Sequence, residues 1–147
     1  MNAIRHLLKE HEEIGKLFNQ FVDAGEQAYK QKQTIAEKVI EEISVHARLE
    51  EEILFRAMEE KGGEEEKEMV QEGIEEHHLT RFMLDRLGKT KPEDEAFNPK
   101  FKALMESSKH HFMEEEREIF PKAKKILKGE LDRLGEEMEA LEKKIRK

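Results

Sequence analysis

Apolar residues recur at every third or fourth position along most of the chain, which is the period of an amphipathic helix. At the start of the chain this apolar stripe consists of Ile4, Leu7, Leu8, Ile14, Phe18 and Val22. Similar stripes predict four long helices over about residues 3–29, 35–61, 64–87 and 98–128, and a shorter one over about 130–146. The chain has no run of β-branched residues, so strands are not expected. The pattern predicts an all-α protein.

Residues with known helix-end preferences set the expected boundaries. Asn2, Thr34 and Asn98 are candidate N-caps for the first, second and fourth helices. A pair of glycines that starts at Gly62 is expected to end the second helix. Pro121 is expected to kink or interrupt the fourth helix shortly before its own position, because proline lacks the N–H that an interior helical residue donates.

Four long helices joined by mostly short connections favour an up-down-up-down four-helix bundle. We expect residues 1–128 to form this bundle as one domain. Residues 129–147 are expected to form a C-terminal amphipathic helix that packs on the same domain. The alternative is that this helix pairs with a second chain, so we expect a monomer or a weak homodimer.

Composition makes any inward-facing polar residue conspicuous. Only 36% of the residues are hydrophobic and 42% are charged, so the core must be narrow. The net charge of −8 argues against nucleic acid as a partner. The lack of cysteine excludes disulfides, zinc–thiolate sites and iron–sulfur clusters. No apolar run has the length of a membrane span and no signal peptide opens the chain, so we expect no membrane partner and a cytoplasmic protein.

One segment of the sequence occurs twice. "HARLEEEILF" begins at His46 and "HFMEEEREIF" begins at His111, and each places a glutamate four residues after the histidine. A further histidine precedes each segment, His11 by 35 residues and His77 by 34. Each half of the chain is therefore expected to be a helical hairpin that carries one histidine on its first helix and a His-x-x-x-Glu pair on its second.

A helical projection at about 100° per residue separates the inward polar residues from the outward ones. Six side chains fall in or beside the apolar stripes: His11, His46, Glu50, His77, His111 and Glu115. The projection turns three further histidines outward (His6, His78 and His110) and leaves Glu51 at the edge of its stripe or outside it. Six inward polar groups would strongly destabilise a narrow core unless they shared a partner.

Four imidazoles and two carboxylates fit a site for two metal ions about 3.5–4 Å apart, with the carboxylates as bridges. Mixed imidazole and carboxylate ligation suits iron, with manganese or zinc as alternatives. We expect two irons bridged by Glu50, Glu115 and a solvent oxygen. An open coordination position would accept a small ligand such as dioxygen, peroxide or nitric oxide.

The order and spacing of these segments resemble a hemerythrin-like domain, also called an HHE cation-binding domain, from about residue 3 to 128. The segments that carry the resemblance are "LKEHEEIGKLF", "HARLEEEILF", "EEHHLTRFMLDRL" and "HHFMEEEREIFP". The resemblance implies a non-heme di-iron centre in a four-helix bundle.

The chain departs from the oxygen-carrying members of the family it resembles at two positions. Those members place a second histidine one turn after the third-helix histidine, where this chain has Arg81. They typically place an aspartate five residues after the last histidine, where this chain has Glu116. The chain thus resembles the branch with four histidines and two bridging glutamates, which argues against plain reversible oxygen carriage and leaves redox, peroxide or sensing chemistry open.

Three classes of function follow from these observations. The leading expectation is a non-heme di-iron protein that binds dioxygen or a related small ligand for sensing, delivery or scavenging. The first alternative is an oxidoreductase with the same centre, acting as a peroxidase, a ferroxidase or a nitric-oxide-handling enzyme. The second alternative is a metal-free helical interaction module whose histidines are structural.

Overall fold

The computed structural model describes residues 1–147, and it is all-α as the sequence predicts. The helices are α1 (Ala3–Asp23), α2 (Tyr29–Leu49), α3 (Arg56–Lys61), α4 (Glu64–Gly88), α5 (Phe97–Glu114), α6 (Phe120–Ile126) and α7 (Leu131–Ile145). Two π-helical turns, π1 (Glu50–Phe55) and π2 (Glu115–Ile119), join α2 to α3 and α5 to α6. The four rods α1, α2–π1–α3, α4 and α5–π2–α6 form the predicted up-down-up-down bundle, and α7 is the additional helix. None of the helices combines the length and apolar character of a membrane span.

The first connection lies earlier in the chain than predicted. Helix α1 ends at Asp23 rather than near residue 29, because the backbone of the next residue is extended. Helix α2 begins at Tyr29 rather than near residue 35. Thr34 is therefore not an N-cap, since it lies inside α2 and its hydroxyl donates to the Lys30 carbonyl. Its side chain satisfies a backbone acceptor within the helix instead of an unpaired N–H at the helix start.

Of the other two predicted caps, one is present. The Asn2 side chain accepts a hydrogen bond of 2.9 Å from the Arg5 N–H and caps α1 as predicted. The prediction for Asn98 was wrong, because α5 already begins at Phe97. The turn before it is held by Asp94, whose carboxylate accepts the Ala96 N–H at 2.8 Å.

The predicted interruption before Pro121 is the π-helical turn π2. Proline does not explain both turns, since π1 lies at the equivalent place in the first half of the chain and Arg56, not proline, comes directly after it. Both π turns begin at the glutamate of a His-x-x-x-Glu pair, Glu50 or Glu115. A π turn holds an extra residue and is frequent at functional sites. The two π turns therefore indicate that Glu50 and Glu115 are functional positions of the repeat.

The hydrophobic core is divided into two clusters along the bundle axis. One cluster includes Leu7 and Leu49 and extends to α7, and the other includes Ile14 and Leu104. On α1, His11 lies between the two clusters, and the other inward polar residues form the same intervening layer on their own helices. The fold thus positions one polar layer across the middle of an otherwise apolar interior.

Helix α7 packs against the end of the bundle that holds the N-terminus. Leu134 and Met138 are buried there among residues of α1 and the α2–π1–α3 rod. Gly135 allows the close approach, because a Cβ at this position would collide with the backbone of Met1 and Asn2. The side of α1 near its start is consequently covered by α7 rather than by solvent.

Candidate metal centre

The structure brings all six predicted side chains into the polar layer. They come from six segments in the two halves of the repeat: His11 on α1, His46 on α2, Glu50 on π1, His77 on α4, His111 on α5 and Glu115 on π2. Two groups of four donors form, one with His11 and His46 and the other with His77 and His111, and both groups include the two glutamates. Within each group the donor atoms lie within 4.8 Å of one another.

Each glutamate directs one carboxylate oxygen towards each group. The Nε2–oxygen distances are 3.0 Å for His11–Glu115, 3.1 Å for His46–Glu50, 3.0 Å for His77–Glu50 and 3.3 Å for His111–Glu115. A carboxylate shared in this way is placed to bridge two cations. The four Nε2 atoms face the carboxylates, so every imidazole presents the same ring nitrogen to the centre.

Several buried atoms in this layer lack the hydrogen bonds that they would need in a metal-free core. The Glu50 and Glu115 side chains are completely buried. Oε2 of each glutamate and Nε2 of His111 have no hydrogen-bond partner. An unsatisfied buried polar group costs about 1–3 kcal/mol, and a charged one costs more. Glu50 Oε2 belongs to the His11 and His46 group, whereas Glu115 Oε2 and His111 Nε2 belong to the His77 and His111 group. One cation in each group would satisfy all three atoms, so the donor set fits a site for two metal ions.

A second layer of four glutamates surrounds the histidines. Each of them accepts a hydrogen bond from the Nδ1 of one imidazole, at 2.7 Å for His46–Glu10, 2.8 Å for His11–Glu116, 2.5 Å for His77–Glu51 and 2.5 Å for His111–Glu76. Metal-binding histidines usually donate their other ring N–H to such a carboxylate, which fixes the tautomer and the orientation of the ring. These four supporting carboxylates leave the Nε2 lone pairs available to a cation.

The sequence analysis did not predict the supporting carboxylates. The helical projection leaves Glu51 at the edge of its stripe or outside it, and the other three supporting glutamates (Glu10, Glu76 and Glu116) are not among the candidate ligands. A projection treats one helix at a time, whereas two of these contacts join the two halves of the chain. The signal was present in the sequence, because each supporting glutamate is adjacent to a candidate ligand in the same order in both halves.

The centre has an approximate twofold repeat that breaks one turn after the first histidine of each half. The residue four positions after His77 is Arg81, and the residue four positions after His11 is Gly15. The Arg81 guanidinium lies 2.9 Å and 3.1 Å from the two carboxylate oxygens of Glu51. Burial opposes ionisation of this carboxyl, but hydrogen bonds from His77 and Arg81 outweigh it and lower its pKa. Arg81 therefore supports the carboxylate that orients His77.

On the other side of the centre the absence of a side chain at Gly15 leaves a cleft. A Cβ added there would meet no atom within 4 Å. The cleft has a volume of about 280 Å³, and its lining includes His11, Phe112 and Glu116. The His11 ring stacks on Phe112 with ring centroids 4.0 Å apart. One side of the centre thus has a cleft beside His11, while the opposite side carries the Arg81–Glu51 ion pair.

The centre carries an excess of negative charge. Six carboxylates and one guanidinium give a formal charge of −5 when the imidazoles are neutral. Burial lowers the pKa of His111, but the nearby carboxylates of Glu115 and Glu50 outweigh it and raise that pKa to about 11. Protons thus compensate the carboxylates when no metal is bound, and metal uptake would have to displace them.

The remaining histidines lie outside the centre. The side chains of His78 and His110 are 60% and 65% exposed, as the helical projection predicts. The prediction for His6 was wrong, because its ring is covered by α7 and its Nε2 lies 3.0 Å from the Glu142 carboxylate. The projection could not show this, since it does not indicate which face of the bundle α7 covers.

The chain is similar in sequence to proteins of one known family. The family described as the hemerythrin HHE cation binding domain matches residues 2–123. An uncharacterized hemerythrin-like protein of Schizosaccharomyces pombe is 35% identical over 89 residues, which are 60% of this chain and 44% of that protein. The chain thus matches less than half the length of that relative.

A solved structure shares the fold. The crystal structure of a hemerythrin HHE cation binding domain-containing protein from Mycobacterium kansasii aligns with a TM-score of 0.84 over 99% of this chain and 88% of that chain. At 21% sequence identity this likeness concerns the arrangement of the helices.

Proposed function

Because this chain belongs to the hemerythrin HHE cation-binding domain family, we propose that it is a non-heme di-iron protein that binds dioxygen or a related small ligand. The observation that carries the proposal is the pair of four-donor groups that share the buried carboxylates of Glu50 and Glu115. In this proposal His11 and His46 hold one iron and His77 and His111 hold the other. Glu50 and Glu115 would be shared by both ions, with a solvent oxygen as a further bridge.

The choice of iron rests on the donor set. Imidazole together with carboxylate suits iron, and the same donors accept manganese or zinc. Two imidazoles and two carboxylate oxygens give each ion four donors from the protein. Iron at such a site supplies redox chemistry and an open coordination position, as in sites where histidine and carboxylate leave room for dioxygen. Sensing, delivery and scavenging of the ligand are the roles that such a binding site serves.

The chain also has a cleft through which a small ligand could reach the proposed metal centre. The cleft at Gly15 reaches His11, whereas on the opposite side Arg81 and Glu51 form an ion pair. The small ligand is therefore proposed to enter beside His11. Phe112, which stacks on the His11 ring, is part of the lining of this cleft.

Azide binding to the oxidised, iron-loaded protein tests both the function and the access route. We expect azide to change the absorption spectrum, and we expect Gly15→Leu to slow its association at least about tenfold without lowering the iron content. Lys16→Leu, an exposed change at the next position of α1, is the control and should bind azide at the parent's rate. An iron-loaded parent that binds neither azide nor dioxygen would contradict the proposed function. Equal rates for Gly15→Leu and the parent would contradict the route alone.

Repeated addition of peroxide separates a binding protein from an enzyme. A binding protein should show a stoichiometric spectral change that ends when its sites are filled. Consumption of many equivalents of peroxide per chain, with the spectrum restored after each addition, would instead assign the centre to an oxidoreductase.

A further inference from the structure

A line of polar side chains connects α7 to the centre. His6 Nε2 lies 3.0 Å from Glu142 Oε1 on α7 and 3.3 Å from Glu10 Oε2 on α1. The other oxygen of Glu10 lies 2.7 Å from Nδ1 of His46. Nε2 of His6 thus lies between two carboxylates, and one of these carboxylates orients a proposed metal ligand.

Glu10 differs from the other three supporting carboxylates in its surroundings. The side chains of Glu116 and Glu76 are 47% and 42% exposed, so water can solvate their second oxygen. Glu51 is 23% exposed and is paired with Arg81. Glu10 is only 9% exposed, because α7 covers it, and its second oxygen faces His6. A buried carboxylate oxygen is strongly destabilising unless a donor reaches it.

We propose that His6 and Glu142 are positioning residues for the metal centre and that they act through Glu10 on the orientation of His46. The inference rests on the proposed function, since it assumes that His46 holds an iron. It assigns to the C-terminal helix a role in the centre that no ligand on that helix provides. In the second half of the chain the residue equivalent to His6 is Glu72, which is exposed, so only one of the two irons has this support.

The contacts around Glu142 hold its side chain in place beside His6. Arg146 donates to Glu142 at 2.8 Å and also to Glu42 on α2 at 2.8 Å, which ties the end of α7 to the bundle. The hydrogen bond to Glu10 raises the pKa of His6, burial opposes this, and Glu142 adds to the increase. A charged imidazole between two carboxylates gives charge-assisted hydrogen bonds, which are shorter and stronger than neutral ones. His6 therefore restrains Glu10 rather than merely touching it.

The side chains of His6, Glu10 and Glu142 lie close enough together to resemble a small cation site. Lys143, Arg146 and Lys147 line the same groove and make a third cation unfavourable there. The proposal accordingly assigns the His6 ring, and not a metal ion, as the cation between Glu10 and Glu142.

Release of iron from the loaded, full-length protein to a chelator tests the inference. Loss of a direct outer partner of a metal-binding histidine costs about 10–100-fold in affinity, so an indirect partner should cost less. We expect His6→Leu and Glu142→Ala to accelerate one phase of release by about three- to tenfold and to leave the phase of the second ion unchanged. His6→Gln keeps an N–H donor and should recover part of the parent's rate. Glu139→Ala removes an exposed carboxylate from the same helix and is the control.

The two-phase readout separates positioning from general destabilisation. A purely structural role would accelerate both phases together in proportion to the loss of stability, and this result would overturn the inference. Variants that hold two ions and release both at the parent's rate would also overturn it and would leave the proposed function intact. A third tightly bound ion that disappears in His6→Leu would overturn it in favour of a cation site. A parent that holds no iron would overturn both the inference and the proposed function.

Discussion

Replacing Glu50 with glutamine is expected to remove most of the bound iron while the chain keeps its helical fold. The carboxylate of Glu50 faces His46 with one oxygen and His77 with the other, so it serves both groups of donors. Glutamine has nearly the same volume but lacks the negative charge and cannot bridge two cations with two anionic oxygens. Elemental analysis should find a decrease from about two ions per chain to fewer than about one.

The control for this change is Glu52→Gln on the same helical segment. Glu52 makes an exposed ion pair with Arg48 and does not contact the centre. Such exposed pairs contribute about 0–1 kcal/mol, so the control should keep the parent's iron content and nearly its thermal stability. Full iron occupancy in Glu50→Gln would show that Glu50 is not a bridging ligand.

Replacing each of the two adjacent histidines of α4 is expected to give the second large difference in iron content. His77 is buried and faces Glu50, whereas the side chain of His78 is 60% exposed and contacts Glu75 on the same helix. We expect His77→Ala to lower the iron content from about two ions per chain to about one or fewer, because only one donor group contains His77. We expect His78→Ala to retain both ions. Circular dichroism should show that both variants are folded before their iron is measured.

The variants His77→Ala and His78→Ala also test the orientation of α4. A rotation of this helix by one residue, about 100°, would exchange the inward and outward positions of the two histidines. Iron lost from His78→Ala and retained by His77→Ala would therefore mean that the helix faces the centre with the other side.

The sequence predicts the location of the site because its signal is local. His and Glu four positions apart lie on one face of a helix, and the apolar stripe shows that this face turns inward. Both properties can be read within single helices for His46 and Glu50 and for His111 and Glu115. The repeat then indicates that the two pairs meet, which the structure shows.

Features that depend on neighbouring helices could not be predicted in this way. Glu51 reaches His77 on α4, and its position outside the apolar stripe of its own helix does not exclude this contact. The burial of His6 depends on where α7 packs, and α7 is joined to the bundle by a turn with Gly129 at a positive φ. The start of α2 depends on the turn before it, because Thr34 is as suitable inside a helix with its hydroxyl on a backbone carbonyl as at an N-cap.

The helix interruption before Pro121 was predicted at the correct position, but proline does not fully explain it. A break in regular α-helix precedes it, but the same break occurs in the first half without proline. The shared feature is a glutamate in the polar layer at the start of each π turn. The extra residue of a π turn shifts the helical phase for the residues that follow, so that Phe55 and Phe120 pack into the adjacent apolar cluster. Helix propensity alone does not indicate this shift.

Iron content per chain tests the central claim most directly. Metal-free protein should be reconstituted with ferrous iron under anaerobic conditions, passed through a desalting column to remove loosely held ions, and analysed for iron and for protein concentration by amino-acid analysis. Two groups of donors that share Glu50 and Glu115 predict two tightly bound ions per chain. A reconstituted protein that retains at most one ion would contradict the account.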